Sequence, residues 1–92
     1  MTTFASPALT ADEWVPLVDG ATYENVLLQL RGVAPAHIYV GAGTPGAGET
    51  EYLTISQAVF PGVALTLGAD ESVFARAATS IGVGLEGART AR

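Results

Sequence analysis

Short apolar runs recur about every ten residues along this chain of 92 residues, and Gly, Pro, Asp or Thr bounds most of them. The runs are rich in Val, Ile, Leu, Tyr and Phe, and no convincing helical pattern separates them. Strands at such regular spacing are typical of all-β sandwiches and barrels. The sequence therefore predicts an all-β fold, a single compact antiparallel β-sandwich or small jelly-roll-like barrel of about seven to eight short strands. The clearest runs are VLLQL, HIYVG, EYLTI, VALTL, SVFAR and IGVGL.

Within these runs, apolar and polar residues alternate with a period of two, as they do in half-buried strands. In the last run, Ile81, Val83 and Leu85 alternate with Gly82 and Gly84. Because glycine has no side chain, these two glycines predict a face that another backbone or subunit can approach closely. The predicted strands are Trp14–Val18, Tyr23–Arg31, His37–Gly41, Glu51–Ile55, Val63–Leu67, Ser72–Ala77 and Ile81–Leu85.

The same alternation predicts which side chains form the core. The first strand is expected at a sheet edge, because Pro16 cannot donate a hydrogen bond to a neighbouring strand. The predicted core residues are Val26, Leu28, Ile38, Val40, Leu65, Leu67, Val73, Ile81, Val83 and Leu85.

The two ends of the chain carry weak strand signals. Residues 1–11 are small and polar, and only Phe4 and Leu9 could anchor them, so we predict a flexible N-terminal arm. Residues 12–87 are then expected to form the β-sandwich domain, and residues 88–92 a frayed C-terminus.

The composition is apolar for so small a domain. Hydrophobic residues make up 49% of the chain and charged residues only 14%, where about 25% is usual. One explanation is the large number of alanines, many of which could be exposed. The explanation that we favour is a face buried against further subunits, and it predicts a homo-oligomer, with a homotrimer as the expected form.

The charge of the chain restricts its partners. The net charge is −5, and the 4 basic residues are all arginines. Nucleic acids and anionic membrane surfaces select basic patches, so we expect neither as a partner. The chain has no cysteine, which excludes disulfides and thiol chemistry.

No motif for catalysis or metal binding stands out. His37 is the only histidine, and no nucleophile motif accompanies it. Glu49 with Glu51 could act as a carboxylate pair, but a solvated acidic edge beside the Gly-rich segment explains them. Asp70, Glu71 or Glu49 could bind calcium, but the DxDxDG spacing is absent. We therefore predict a protein that is not an enzyme, has no cofactor and binds no metal.

A Gly-rich segment and six aromatic residues are the remaining candidate binding features. The segment Ala42–Gly48 lacks the GK[ST] ending of a phosphate-binding loop, so we predict a mobile loop. The aromatic residues could stack against a sugar, although core and interface positions are commoner for such residues in a sandwich. They are Trp14, Tyr23, Tyr39, Tyr52, Phe60 and Phe74.

Five segments follow one another in a characteristic order: WVPLVDG, VLLQL, IYVGAGTP, LTLGADESVFARAA and IGVGL. Within the fourth segment, a V-F-A-R-A strand follows a Gly-Ala-Asp turn. This order spans Trp14 to Leu85, nearly the whole domain, and it resembles that of small virion structural proteins of tailed bacteriophages.

The resemblance implies a function and a set of partners. Members of this group are head decoration (cement) proteins, head fibres or tail accessory subunits, and they are β-sandwiches that assemble as oligomers. The implied function is that of a capsid decoration protein, made in the host cytoplasm and located on the phage head, that binds the major capsid protein and stabilises the shell. The alternatives are a tail or head-fibre module that binds a host receptor or glycan, and a hydrolase. The candidate partner-binding residues are Phe4, Pro7, Leu9, Trp14, Thr44 and Pro45.

Overall fold

Eight antiparallel strands and no helix make up the fold in the computed structural model, which describes residues 1–92. The strands are β1 (Thr2–Ala5), β2 (Val15–Asp19), β3 (Tyr23–Leu30), β4 (Ala36–Gly41), β5 (Leu53–Ile55), β6 (Gly62–Thr66), β7 (Ser72–Ala77) and β8 (Leu85–Ala91). Sheet one has the order β1-β8-β3-β6, and sheet two has the order β2-β7-β4-β5. The predicted β-sandwich is confirmed. The fold contains no helix with the length and apolarity needed to cross a membrane.

The core lies between the two sheets, and the period-two alternation of the strands produces it. In β3, Val26, Leu28 and Leu30 are buried, whereas the residues between them are exposed. Sheet two contributes Ile38 and Val73, which are fully buried. Together, 14 buried residues form one continuous cluster, and burial of each large apolar side chain stabilises the fold by about 1.5–3 kcal/mol.

Most of the predicted core is buried, but three of its members are not. Val40 and Leu65 are only partly buried. Ile81 is 66% exposed, so its assignment to the core is wrong. It lies in the connection between β7 and β8, where Val83 forms only an isolated bridge with Leu9, and the predicted seventh strand is therefore absent. The predicted core residues that are buried are Val26, Leu28, Ile38, Leu67, Val73, Val83 and Leu85.

The first eleven residues differ from the predicted flexible arm. β1 pairs with β8, beginning with Thr2 opposite Arg89, and the Leu9 side chain is fully buried. The Leu9 N–H donates a hydrogen bond to the Val83 carbonyl at 2.8 Å. Because a strand inside a sheet must satisfy its backbone groups on both sides, β8 gives this segment a fixed place. Residues 1–11 are part of the sandwich.

The C-terminal residues differ in the same way from the predicted frayed end. β8 lies between β1 and β3, so its backbone is paired on both sides. Beyond the strand, the Arg92 N–H donates to the Thr22 carbonyl at 2.9 Å, and Arg92 Nε donates to the Gly20 carbonyl at 2.9 Å. Residues 88–92 therefore belong to the centre of sheet one and to its immediate extension.

β2 lies at the edge of its sheet, as Pro16 predicts. β2 pairs only with β7 and is an edge strand of sheet two. The register of this pair shifts between Pro16 and Val18, which places an irregularity where the proline cannot donate. Irregularities of this kind also protect sheet edges from pairing with other chains.

Candidate functional site

The outer face of sheet two carries five aromatic rings around one arginine. The register of β4 and β7 places His37 opposite Arg76 and Tyr39 opposite Phe74, on the face away from the core. Trp14 and Tyr52, which immediately precede β2 and β5, complete the group. We call this group the aromatic cluster, and its members are Trp14, His37, Tyr39, Tyr52, Phe74 and Arg76.

The rings of the aromatic cluster contact one another directly. His37 and Tyr52 stack with their ring centroids 3.8 Å apart. The Trp14 ring lies 5.9 Å from that of Tyr39 and 6.1 Å from that of Tyr52, in tilted arrangements that aromatic quadrupoles favour. Four of the six aromatic residues considered for a sugar platform thus meet here. Trp14 and Phe74 are only 6% and 5% exposed, so these two rings have little free surface.

Arg76 connects the rings to the Gly-rich segment. Its Cζ lies 4.3 Å from the centroid of the Trp14 ring, a cation–π contact worth about 0.5–2 kcal/mol. Arg76 Nε donates to His37 Nδ1 at 3.4 Å, and Nη1 donates to the Ala47 carbonyl at 3.0 Å. Since His37 Nδ1 accepts this hydrogen bond, its imidazole is neutral with the proton on Nε2.

The segment Ala42–Gly48, which the composition predicts to be a mobile loop, is attached to the aromatic cluster through the carbonyl groups of Gly46 and Ala47. Trp14 Nε1 donates to the Gly46 carbonyl at 3.2 Å, which adds a second attachment to that of Arg76. Buried indole and guanidinium donors need acceptors, and the carbonyl groups of the Gly-rich segment supply them. The sequence gives no sign of this role, because it depends on the register between β4 and β7.

Two of the acidic residues considered for catalysis and calcium binding, Glu49 and Glu71, accept hydrogen bonds within their own turns. Glu49 Oε2 accepts hydrogen bonds from the N–H groups of Thr50 and Glu51, both at 3.1 Å. Glu71 Oε1 accepts one from the Gly68 N–H at 2.7 Å. No three His, Asp or Glu side chains come together in an arrangement that could hold a metal ion.

Half of the predicted partner-binding residues are withdrawn from the surface. Leu9 and Trp14 are buried, so neither can contact a partner without local unfolding. Phe4 is half-buried and packs against the core. Pro7 and Thr44 are exposed, and Pro45 is half-buried.

A second candidate surface lies at the edge formed by β5 and the connection from β5 to β6. Leu53, Val59 and Phe60 are 48%, 67% and 63% exposed, and we call these three residues the apolar edge. Leu53 and Phe60 line a cavity of about 190 Å³ together with Ile55 and Val63. The sequence analysis missed this surface, although a Val-Phe pair in a turn, where polar residues are usual, is a readable signal.

The backbone beside the apolar edge is incompletely paired. β5 has only three residues and pairs with β4 from Ala36 to Ile38, so Tyr39–Gly41 of β4 has no strand partner on that side. A depression of about 410 Å³ lies here, lined by Ile38, Val40, Glu51, Tyr52 and Leu53. A partner could therefore meet both apolar side chains and unpaired backbone groups.

Comparison of the chain with protein families, with characterised proteins and with solved structures gives no match. The geometry of the aromatic cluster and of the apolar edge therefore carries the functional argument, together with the sequence resemblance described above.

The aromatic cluster makes stability depend on pH. Burial and the neighbouring Arg76 guanidinium lower the pKa of His37 below its ordinary 6.5. The unfolded chain therefore takes up a proton as the pH falls below about 6.5, before the folded chain does. We expect the free energy of unfolding to be highest above this pH and to decrease as the pH falls from about 6.5 towards the lowered pKa of folded His37.

Urea unfolding followed by the fluorescence of Trp14, the only tryptophan, measures this effect between about pH 5.5 and 7.5, above the range where carboxylates titrate. The matched control is His37→Gln, whose amide oxygen can still accept from Arg76. A decrease that persists unchanged in this variant would assign the pH dependence to another group.

Proposed function

We propose that the chain is a non-enzymatic structural subunit of a tailed-bacteriophage virion, a capsid decoration protein that binds the major capsid protein and stabilises the head shell. The observation that carries the proposal is the apolar edge. Leu53, Val59 and Phe60 place three large exposed side chains beside one cavity and one incompletely paired strand.

Exposed apolar residues that are grouped in this way mark sites of protein–protein contact. Phe60 resembles the aromatic anchors that dominate protein interfaces. The unpaired Tyr39–Gly41 backbone offers hydrogen bonds to a strand of the partner, as in binding by strand addition. This combination suits attachment to a shell protein, whose ordered surface is fixed in place.

The charge of the chain is consistent with contacts of this kind. Only 14% of the residues are charged, and the single ion pair, between Arg31 and Glu86, joins exposed side chains. Apolar and backbone contacts are screened by salt far less than surface charges are. A decoration protein that uses them keeps its affinity when a particle moves between media of different ionic strength.

In the same proposal, the subunits associate as homotrimers through a different surface. The outer face of sheet one exposes Leu27, which is 45% accessible, and Met1, which is 81% accessible. Both line a depression of about 320 Å³ that also includes Ala64 and Thr66. The outer face of sheet one and the apolar edge allow the chain to bind its own copies and the shell at the same time.

The alternative is a tail or head-fibre module that binds a host receptor or glycan through the aromatic cluster. The gathered rings favour it, and Tyr39 and Tyr52 are partly accessible. However, the burial of Trp14 and Phe74 leaves little ring surface for stacking against a sugar. A glycan would have to displace the segment Ala42–Gly48 first.

Co-sedimentation with heads and with tails of the phage that encodes the chain tests the proposal. We expect many copies to bind heads, and we expect Val59→Ser combined with Phe60→Ser to weaken this binding tenfold or more, about 1.4 kcal/mol. The fold should persist, because both side chains are largely exposed.

The matched control is Val33→Ser, which changes a side chain that is 87% exposed outside the apolar edge and should leave head binding intact. Binding to tails alone, in few copies, would support the alternative. Unchanged head binding by the double variant would show that the apolar edge is not the contact.

A further inference from the structure

Arg89 occupies an unusual position for a charged residue. It lies in β8 opposite Val26, a core residue, and opposite Thr2, so it stands on the inner face of sheet one. The alternation that places Leu85 in the core thus places a guanidinium at the end of the same row. Charged side chains at such positions are rare unless they have a partner.

No partner for Arg89 exists within the chain. Its Nε is the one buried side-chain nitrogen or oxygen without a hydrogen bond. The chain has 9 acidic residues, yet its single ion pair involves Arg31 instead. The two terminal nitrogens of Arg89 also make no hydrogen bond, and they are not fully buried. A positive charge with free donors is therefore held where the two sheets meet.

Two aromatic rings hold the guanidinium in place. Arg89 Cζ lies 4.4 Å from the centroid of the Tyr23 ring and 4.8 Å from that of Phe4. The rings come from β3 and β1, the strands on either side of β8. Cation–π contacts at these distances hold the guanidinium against the rings but leave its donors unused. The group is preorganised for an acceptor that is absent from the chain.

The guanidinium opens into a cavity of about 230 Å³ between the two sheets. Sheet one contributes Tyr23 and Arg89 to its lining, and sheet two contributes Leu17, Asp19 and Ser72. The volume is below the usual range for small-molecule sites, so the cavity fits one small acid or one side chain.

We propose that this cavity binds a carboxylate, held by the terminal nitrogens of Arg89. A guanidinium presents two parallel donors that match the two oxygens of a carboxylate. Asp19 at the rim carries a negative charge, and it disfavours dianions such as phosphate more than a monoanion. The carboxylate can come from a free small acid or from an acidic side chain of a partner protein.

The proposal goes beyond the decoration function and does not depend on it, because its test needs only the isolated chain. The Nε–H of Arg89 is buried and exchanges slowly with water, so its NMR signal is a local reporter. Titration with acetate and with the blocked peptide acetyl-Gly-Glu-Gly-amide, at constant ionic strength with chloride, should shift this signal saturably. The Nε–H of Arg31, which is paired with Glu86, is the internal control.

Two variants test the assignment. Arg89→Lys keeps the charge but loses the paired donors, and it should bind the better probe at least tenfold more weakly. Asp19→Asn keeps an oxygen that can accept from the Ala21 N–H and removes the charge at the rim, so it should bind about two- to fivefold more tightly.

The two probes separate the sources of the carboxylate. Peptide binding at least tenfold tighter than acetate binding identifies a side chain of a partner, and equal binding identifies a site for small acids. The proposal is overturned if neither probe shifts the Arg89 signal up to about 100 mM, if chloride alone produces the same shift, or if Arg89→Lys binds as the unchanged chain does.

Discussion

Removal of residues 1–9 is expected to leave the chain unfolded at 25 °C. The deletion takes away β1, the only partner of β8 on one side, and it also removes the fully buried Leu9 side chain. Loss of a buried leucine side chain alone costs about 2–5 kcal/mol, and a small domain has only about 5–15 kcal/mol in total. Far-UV circular dichroism and thermal unfolding measure the result.

Two single substitutions separate the contribution of the Leu9 side chain to stability from that of an exposed residue in the same segment. Leu9→Ala should lower the free energy of unfolding by about 2–5 kcal/mol. Pro7→Ala, in the same segment but at an exposed position, should change it by no more than about 0.5 kcal/mol. A truncated chain with an unchanged thermal transition would mean that residues 1–9 are the flexible arm that the sequence predicts.

Gly87→Ala is expected to destabilise the fold by about 3 kcal/mol or more, at the upper end for an overpacked site. Gly87 lies opposite Leu28 in the central pair of sheet one. A Cβ at this position would lie only 1.9 Å from the Leu27 carbonyl oxygen and 3.0 Å from its carbon. Because these are backbone atoms, β3 and β8 must separate to admit the methyl group. Urea unfolding measures the loss.

The matched control is Gly84→Ala, three residues earlier on the chain. There the nearest atom to a new Cβ is Arg31 Cδ at 3.7 Å, an ordinary contact, so we expect little change in stability. Equal effects of the two substitutions would show that close approach between β3 and β8 is not what requires Gly87. The sequence analysis assigned close approach to Gly82 and Gly84, whereas the shortest approach of another backbone is at Gly87.

Several core strands could be predicted from the sequence because apolar and polar residues alternate along them without interruption. β7 has the predicted bounds, Ser72–Ala77, and β3 differs from its prediction by one residue. The missed strand, β8, places Leu85, Gly87 and Arg89 on its inner face. A glycine and an arginine conceal the apolar row that would have identified the strand. β1 could not be predicted either, because its pairing depends on β8, more than 80 residues away.

The contacts within the candidate surfaces could not be predicted from the sequence either, because they depend on which strands pair. The sequence identified the aromatic residues and the Gly-rich segment, but their meeting depends on the register that places His37 opposite Arg76. Arg76 appears in the sequence only as the polar residue of a strand. Its contacts with Trp14 and the Ala47 carbonyl arise from tertiary packing, which no local pattern encodes.

The pairing of β1 with β8 also affects how the chain folds during synthesis. β1 is synthesised before the other seven strands, and its only strand partner, residues 85–91, is synthesised after them. Until residues 83–91 have left the ribosome, Leu9 lacks the Val83 backbone that holds it, and sheet one lacks an inner strand. Folds dominated by such distant pairings form slowly, in about milliseconds to seconds. We therefore expect the sandwich to assemble only after translation of β8, and we expect incomplete chains to expose unpaired strands to chaperones and proteases.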